Sequence, residues 1–232
     1  PDKPKTPSDI IPGTGKHYPS GVDKDDLNKT VTRTINVISP DGKTTTIKQP
    51  VTLQRSATVD DVTGQITYKA WNTGKWEEYD TPQISGYTPS QAKVSATTVD
   101  GNTQDQTVTI TYSADDQSTT AKFVDDDNKG AQVGDTVTLN GKTDQTINTG
   151  LEVPVHYELA KDQTIPATYT FKANGNEPIV IHLVHAKKAD QNDNNLNKIV
   201  TRTINVTNPD GKTNTIKQVA HLRRSGTIDE VT

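Results

Sequence analysis

A segment near the start of the chain occurs again at its end. Residues 28–63 and 197–232 align without gaps, with Asn28 opposite Asn197, and 25 of the 36 positions are identical. The distance between the two copies is far longer than the roughly 20–50 residues of a solenoid unit, which indicates a multidomain module in tandem. We therefore expect one full module followed by the opening of the next, cut from a longer array.

The composition predicts thin β modules. The apolar fraction is 29%, well below the roughly 45–50% typical of globular proteins. Threonine outnumbers leucine several-fold, so β-branched residues dominate over good helix formers. A thin sheet needs only one apolar face. The predicted fold is mainly β or α+β, built from several small domains.

Several classes of function are unfavoured by the sequence. Cysteine is absent and the net charge is −4 with a pI near 5.7, which argues against thiolate sites and against nucleic acid as a partner. No apolar run approaches the length of a membrane span. No hydrolase, metalloprotease or phosphate-loop motif occurs. We expect a protein that is not an enzyme, has no cofactor and does not insert into membranes.

Shifts in composition divide the chain into four parts. Residues 1–26 are rich in proline and glycine, which is typical of a linker. A polar stretch at 113–118 divides the module, and a second one at 187–195 ends it. The expected parts are the linker 1–26, a β domain at 27–114, a second β domain at 115–187, and a linker with the truncated next repeat at 188–232.

Alternation of apolar and polar residues predicts the strands. Val31, Ile35 and Val37 alternate with polar residues, Arg33 shares their face, and a Pro-Asp-Gly turn follows. The predicted hairpins pair 31–37 with 44–55, 94–99 with 108–112, 119–124 with 136–139 and 169–171 with 179–184. Short helices are predicted only at 143–149 and near residue 91.

Both domains contain distinctive motifs. Those of the first domain are VTRTINV (31–37), PDGKTTT (40–46), VTGQITYKAW (62–71), GKW (74–76), GYTP (86–89) and VTITY (108–112), and those of the second are AKFVDDDNKG (121–130) and GDTVTLNG (134–141). Through these motifs the chain resembles the tandem mucus-binding (Mub-type) repeats of lactobacillus cell-surface adhesins, the first domain resembling the Mub B2-like domain and the second the mucin-binding MucBP domain. The resemblance implies small β-grasp (ubiquitin-like) domains in an elongated array, on an extracellular, cell-wall-anchored protein whose anchor and signal peptide lie outside this chain.

Four aromatic residues form the candidate glycan site. Trp71, Trp76 and Tyr79 lie close together in the sequence, and Tyr87 follows. Sugar rings present apolar faces that stack on exposed aromatic rings. A domain poor in Phe and Leu must also use such residues as core, and the core interpretation is the favoured one.

Carboxylates and histidines offer weak metal candidates. Asp125 and Asp127 precede Gly130, but the spacing does not fit a calcium-binding loop, so a solvated turn is favoured. His182 and His185 are three apart on a predicted strand, so their side chains should point to opposite faces. No metal site is therefore predicted.

The predicted function is mucin-glycan binding by an adhesin repeat through many weak contacts. Mucin glycoproteins and other host glycans are the expected partners, and tandem copies raise avidity. Two alternatives stay open. One is immunoglobulin binding at an exposed β edge, and the other is a structural spacer of a surface fibre.

Overall fold

The computed structural model describes the backbone of residues 1–232 and all side chains except that of Asp193. The chain is mostly β and divides into two compact units. Unit 1 comprises Pro1–Asp116, Lys142–Asp144 and Lys172–Asn174, and unit 2 comprises Gln117–Gly141, Gln145–Phe171 and Gly175–Thr232. The predicted mainly β fold is confirmed.

Unit 1 is built around a long hairpin of alternating residues. Val31, Arg33, Ile35 and Val37 are buried, and the residues between them are partly exposed. The turn closes at Gly42, whose φ of +84° suits glycine. The elements are α1 Lys24–Leu27, β1 Asn28–Ile38, β2 Thr44–Gln54, β3 Ala57–Val59, β4 Ile66–Tyr68, β5 Gly74–Trp76, β6 Tyr79–Asp80, β7 Tyr87–Pro89, β8 Lys93–Val94, β9 Thr97–Val99, β10 Gln106–Ile110 and β11 Tyr112–Ala114.

The other strands of unit 1 complete several small sheets. β1 pairs with β2 in antiparallel and with β10 in parallel orientation. The short antiparallel pairs are β3 with β4, β5 with β9, β6 with β8 and β7 with β11. The prediction of a hairpin between 94–99 and 108–112 is wrong, because β9 pairs with β5 while β10 pairs with β1.

Unit 2 contains a mixed four-stranded sheet in the order β13-β12-β17-β15, with β12 and β17 parallel. Its core packs around Phe123, Ile181 and Leu183. The elements are β12 Asp116–Asp125, a 3-10 helix Asp126–Asn128, β13 Ala131–Lys142, β14 Thr146–Asn148, β15 Tyr157–Leu159, β16 Thr168–Thr170, β17 Ile179–His185, β18 Lys187–Ala189, α2 Asp193–Leu196, β19 Asn197–Thr207, β20 Thr213–Arg223 and β21 Thr227–Asp229.

Two local predictions in unit 2 are wrong. Residues 143–149 contain a turn and β14, and are not helical. The segment 169–171 does not form a hairpin with 179–184, because β16 pairs with β14. In unit 1, the helix expected near residue 91 is likewise absent from the described structure, where 89–94 contains strand and bend.

The second copy of the repeat forms the same hairpin as the first. β19 and β20 pair in antiparallel orientation along their full length, as do β1 and β2. The apolar side chains differ in exposure, since Val31 and Leu53 are buried but their counterparts Val200 and Leu222 are exposed.

Candidate functional site

The two tryptophans of the candidate aromatic site lie in one core cluster of unit 1. Trp76 is 2% exposed and packs with Val31, Leu53 and Val99. Trp71 packs against the same cluster while remaining partly exposed. Trp76 is therefore a core residue, and its ring faces are not available to a ligand.

Both indoles also contact arginines. The Arg33 guanidinium lies 5.4 Å from the Trp76 ring centroid, and the Arg55 guanidinium lies 4.5 Å from that of Trp71. Arg55 also stacks on Tyr68 at 3.7 Å. These cation–π contacts hold the rings within the domain.

The two tyrosines lie elsewhere in unit 1. Tyr79 packs against the cluster of Ile35, Val37, Val94 and Ile110. Tyr87, in β7, lines a groove of about 470 Å³ and a second groove of about 520 Å³. The four predicted residues are thus divided among two core clusters and one pair of open grooves.

Tyr87 is held firmly at the wall shared by the two grooves. Its hydroxyl donates a hydrogen bond of 2.6 Å to the Asp144 carboxylate, which raises the pKa of the tyrosine. Side chains with hydroxyl and amide groups line the grooves together with Tyr87. The first groove is lined by Thr81, Gln83, Ile84, Ser85, Tyr87, Thr88, Pro89 and Ala92, and the second by Ser39, Pro40, Asp41, Ile84, Ser85, Tyr87 and Asp144.

The groups that line these grooves are of two kinds. An aromatic ring supplies an apolar face, and hydroxyl, amide and carboxylate groups supply donors and acceptors for sugar hydroxyls. The volumes fall within the range of small-ligand sites, roughly 300–1,000 Å³.

The acidic turn of unit 2 differs from the solvated turn that the sequence favours. Asp126 and Asp127 are exposed, but Asp125 is 2% exposed. The Asp125 carboxylate accepts a hydrogen bond from the Asp127 N–H and forms an ion pair with His185 at 2.9 Å. His185 is distant from Asp125 in the sequence, and no local pattern indicates that the two residues meet.

His185 lies between two carboxylates. Its Nε2 is 2.9 Å from Asp125 and its Nδ1 is 2.6 Å from Asp229. Both hydrogen bonds raise the pKa of His185, and the bond to Asp229 has the larger effect. An imidazolium donates from both nitrogens, so the geometry is that of a buried cation held by two acids.

The metal candidates belong to this ion-pair cluster. Ligand atoms of Asp125, Asp127 and His185 lie within 4.8 Å of one another. Both ring nitrogens of His185 already face carboxylates. The Asp127 carboxylate accepts a hydrogen bond of 2.9 Å from the backbone N–H of His185. His182 instead pairs with Asp126 at 2.7 Å, as expected for residues on opposite faces of a strand.

Comparison with known families gives consecutive matches. A Muc B2-like domain matches residues 22–116, and a mucin binding domain matches residues 117–185. The chain belongs to the mucus-binding repeat family. The resemblance to tandem mucus-binding repeats of adhesins is thereby confirmed.

Solved structures of mucus-binding domains are similar to this chain. One is the mucin-binding domain of Spr1345 from Streptococcus pneumoniae, with 33% identity over 38% of this chain and 91% of that chain, and a TM-score of 0.35. Another is the type 2 repeat of the mucus binding protein MUB from Lactobacillus reuteri. The identity is 32% over 38% of this chain and 50% of that chain, and the TM-score is 0.31.

A third similar structure is the MucBP domain of the adhesion protein from Pediococcus pentosaceus. The identity is 30% over 38% of this chain and 99% of that chain, and the TM-score is 0.31. No curated protein matches the chain.

The family places this mucus-binding repeat among extracellular surface adhesins, whose domains are not enzymes. In the described residues, no helix is long and apolar enough to cross a membrane. Tyr87 and its grooves lie within the Muc B2-like match, apart from Asp144, and His185 is the last residue of the mucin binding match.

Proposed function

We propose that this chain is a repeat of a cell-wall-anchored adhesin that binds mucin glycans through many weak contacts. The observation that carries the proposal is the direct succession of a Muc B2-like domain and a mucin binding domain. The proposed domains are 27–114 and 115–187, preceded by the linker 1–26 and followed by the opening of another repeat at 188–232.

Each domain is proposed to be a β-grasp module. In unit 2 the first long strand, β12, pairs in parallel with β17, and β13 and β15 flank this pair. In unit 1 β1 likewise pairs in parallel with the late strand β10 and in antiparallel with β2. In both domains the first long strand thus pairs in parallel with a late strand, which supports the β-grasp assignment.

The glycan site is proposed to lie at Tyr87. Of the four aromatic candidates, Tyr87 combines partial exposure with a position in two adjoining grooves. The hydrogen bond to Asp144 fixes the ring before a ligand arrives, so little side-chain entropy is lost on binding. Trp71 and Tyr79 are partly exposed and serve as secondary candidates, while Trp76 supports the core.

The open shape of these grooves favours weak binding at each site. Tandem copies on one chain convert later binding events into intramolecular ones, which raises avidity by roughly 10²–10⁴ without new contacts. The internal repeat, whose successive copies begin at Asn28 and Asn197, is the sequence signature of such an array.

The first experiment compares binding of this chain to intact mucin with binding to periodate-treated mucin, whose sugars are oxidised. We expect binding to intact mucin and its loss after periodate treatment. Equal binding to both surfaces would contradict glycan recognition and make immunoglobulin or another protein the next ligand to test. Absence of binding to either surface would favour a structural spacer.

The second experiment tests Tyr87 with a matched control. Tyr87→Ala should weaken binding to immobilised mucin by about tenfold, because loss of a stacked aromatic costs on the order of 1–2 kcal/mol. Tyr68→Ala is the control, since Tyr68 is also exposed in unit 1 and its hydroxyl donates to the Gly21 carbonyl at 2.6 Å. Equal binding by the two variants would exclude the Tyr87 grooves as the site.

A further inference from the structure

The opening of the second repeat copy pairs with the segment that directly follows the mucin binding match, in a separate two-stranded sheet. β21, at Thr227–Asp229, pairs in antiparallel orientation with β18, at Lys187–Ala189. Two further backbone hydrogen bonds extend the pairing, from the Asp190 N–H to the Gly226 carbonyl at 3.0 Å and from the Glu230 N–H to the Ala186 carbonyl at 2.9 Å. All of these residues belong to unit 2.

Side chains reinforce this strand pairing on both sides. His185 is 7% exposed and joins Asp125 of its own sheet to Asp229 of the added strand. Glu230 forms ion pairs with Lys188 at 3.5 Å and, on protonation of the imidazole, with His156 at 3.7 Å. The added strand is therefore acidic, and the surface that receives it offers cations.

The first repeat copy has a related charge contact, although its strand β3 pairs with β4 and not with the preceding segment. Asp60 is the counterpart of Asp229, and the same alignment, extended without gaps toward the start of the chain, places Lys16 opposite His185. The Lys16 ammonium donates to the Asp61 carbonyl at 3.0 Å. Hydrogen bonds from Thr63, foremost from its backbone N–H, lower the pKa of Asp60, and the Lys16 charge acts in the same direction. A cation thus faces the same acidic segment in both copies, although the residue differs.

We propose that the end of the mucin binding domain, together with the segment directly after it, is a docking surface for the acidic strand that opens the following repeat. The surface consists of residues 185–190 with His156, and its partner is the segment 226–230. Main-chain hydrogen bonds supply affinity, as in other cases of strand addition. In the His185–Asp229 contact the histidine is buried and the aspartate is partly exposed. This contact selects a strand with a carboxylate at that position. Each repeat would then hold the next one.

The test measures amide hydrogen exchange in the full chain, at fixed pH, for wild type, Asp229→Asn and Asp60→Asn. The control is closely matched. Asp229 accepts the N–H groups of Val231 and Thr232 in a local turn, and Asp60 accepts those of Val62 and Thr63. Both substitutions alter the same type of turn, but only Asp229 contacts a histidine.

In wild type we expect the Asp190 and Glu230 amides to be protected. Asp229→Asn should lower their protection factors by about tenfold or more, because asparagine keeps an acceptor oxygen but removes the negative charge that pairs with the imidazolium. Asp60→Asn should leave both unchanged. Protection in the amides of β12 and β17 serves as the folding control for unit 2.

Three outcomes would overturn the proposal. Unprotected Asp190 and Glu230 amides in wild type would mean that the strand is not docked. Unchanged protection in Asp229→Asn would mean that the carboxylate does not select the partner. An equal loss in β12 and β17 would make Asp229 a general stabiliser of unit 2, and would remove the specific docking role.

Discussion

Arg33 shows how a single residue holds a domain with little apolar material. Its guanidinium is 1% exposed and donates to the Gln49 side chain at 2.8 Å, to the Ser95 carbonyl at 2.8 Å and to the Glu77 carbonyl at 2.7 Å. These acceptors are uncharged, and Trp76 lies beside the cation. Burial lowers the pKa of Arg33, but an arginine stays protonated in proteins. The residue therefore cross-links three segments of unit 1.

Replacement of Arg33 should destabilise unit 1 strongly. Arg33→Ala leaves the Ser95 carbonyl and the Gln49 amide oxygen without the arginine donor, and the Glu77 carbonyl keeps only the Gln49 amide. We expect a loss of about 3 kcal/mol in the free energy of unfolding. The equivalent residue of the second copy, Arg202, is exposed and bonds only Gln218 among the described residues. Arg202→Ala should change stability by less than about 0.5 kcal/mol.

Urea unfolding followed by tryptophan fluorescence measures the effect of Arg33→Ala, because both tryptophans lie in unit 1. Circular dichroism in the far ultraviolet follows both variants, since Arg202 lies in unit 2. Equal effects of Arg33→Ala and Arg202→Ala would contradict the assigned role of the buried guanidinium.

The elements differ in how far the sequence predicts them. The hairpin β1–β2 follows from alternation and from a Pro-Asp-Gly turn, both of which are local signals. The parallel pairs β1–β10 and β12–β17 join segments distant in sequence, and alternation does not say which strands will meet. The wrong hairpin between 94–99 and 108–112 arose in this way: both strands exist, but each has another partner.

In the candidate sites, too, local features could be predicted from the sequence, but contacts between distant segments could not. The aromatic cluster was visible in the sequence, but the burial of Trp76 depends on four segments that meet in one core. Asp125 contacts His185, and His185 in turn contacts Asp229, which lies in the second repeat copy. The repeat alignment marks Asp229 as the counterpart of Asp60, which is the one sequence signal that could have drawn attention to it.

The two copies of the hairpin permit a comparison of one sequence element in two environments. Leu53 is fully buried with Val31, Trp76 and Val99, whereas its counterpart Leu222 is 54% exposed. We expect Leu53→Ala to lower the free energy of unfolding of unit 1 by about 3 kcal/mol. Leu222→Ala should cost less than about 0.5 kcal/mol.

Calorimetric or urea unfolding of both leucine variants tests the comparison. A large loss in Leu222→Ala would show that the hairpin β19–β20 is covered in solution, and that its apolar face is not exposed as in this structure.

At the scale of the whole molecule, the docking surface makes the link between repeats dependent on pH. His185 faces Asp125 from β12, Asp127 from the 3-10 helix, Asp229 from β21 and the ring of Tyr157 from β15. The hydrogen bonds to Asp229 and Asp125 raise the pKa of His185 above its ordinary value of 6.5. The pKa of Asp229 lies below its ordinary value of 3.8, mainly because its carboxylate accepts the backbone N–H of Val231. The hydrogen bond to His185 lowers it further.

The signs of these shifts define a pH window for docking. A raised histidine pKa contributes stability that is fully present below pH 6.5 and is lost as the pH rises through the shifted value. A lowered aspartate pKa contributes stability that is present above pH 3.8 and is lost as the pH falls through the shifted value. Docking should therefore be strongest in mildly acidic solution, where both partners are charged.

Histidine NMR titration of the full chain provides the measurement. The His185 resonance should titrate above pH 6.5 in wild type, and its midpoint should move down in Asp229→Asn, because the bond to Asp229 is the largest cause of the shift. Asp60→Asn should leave the midpoint in place. If the midpoint does not move in Asp229→Asn, Asp125 alone holds the cation. The contact between repeats would then carry no pH dependence through His185, and an array of such repeats would respond to acidity only through its other groups.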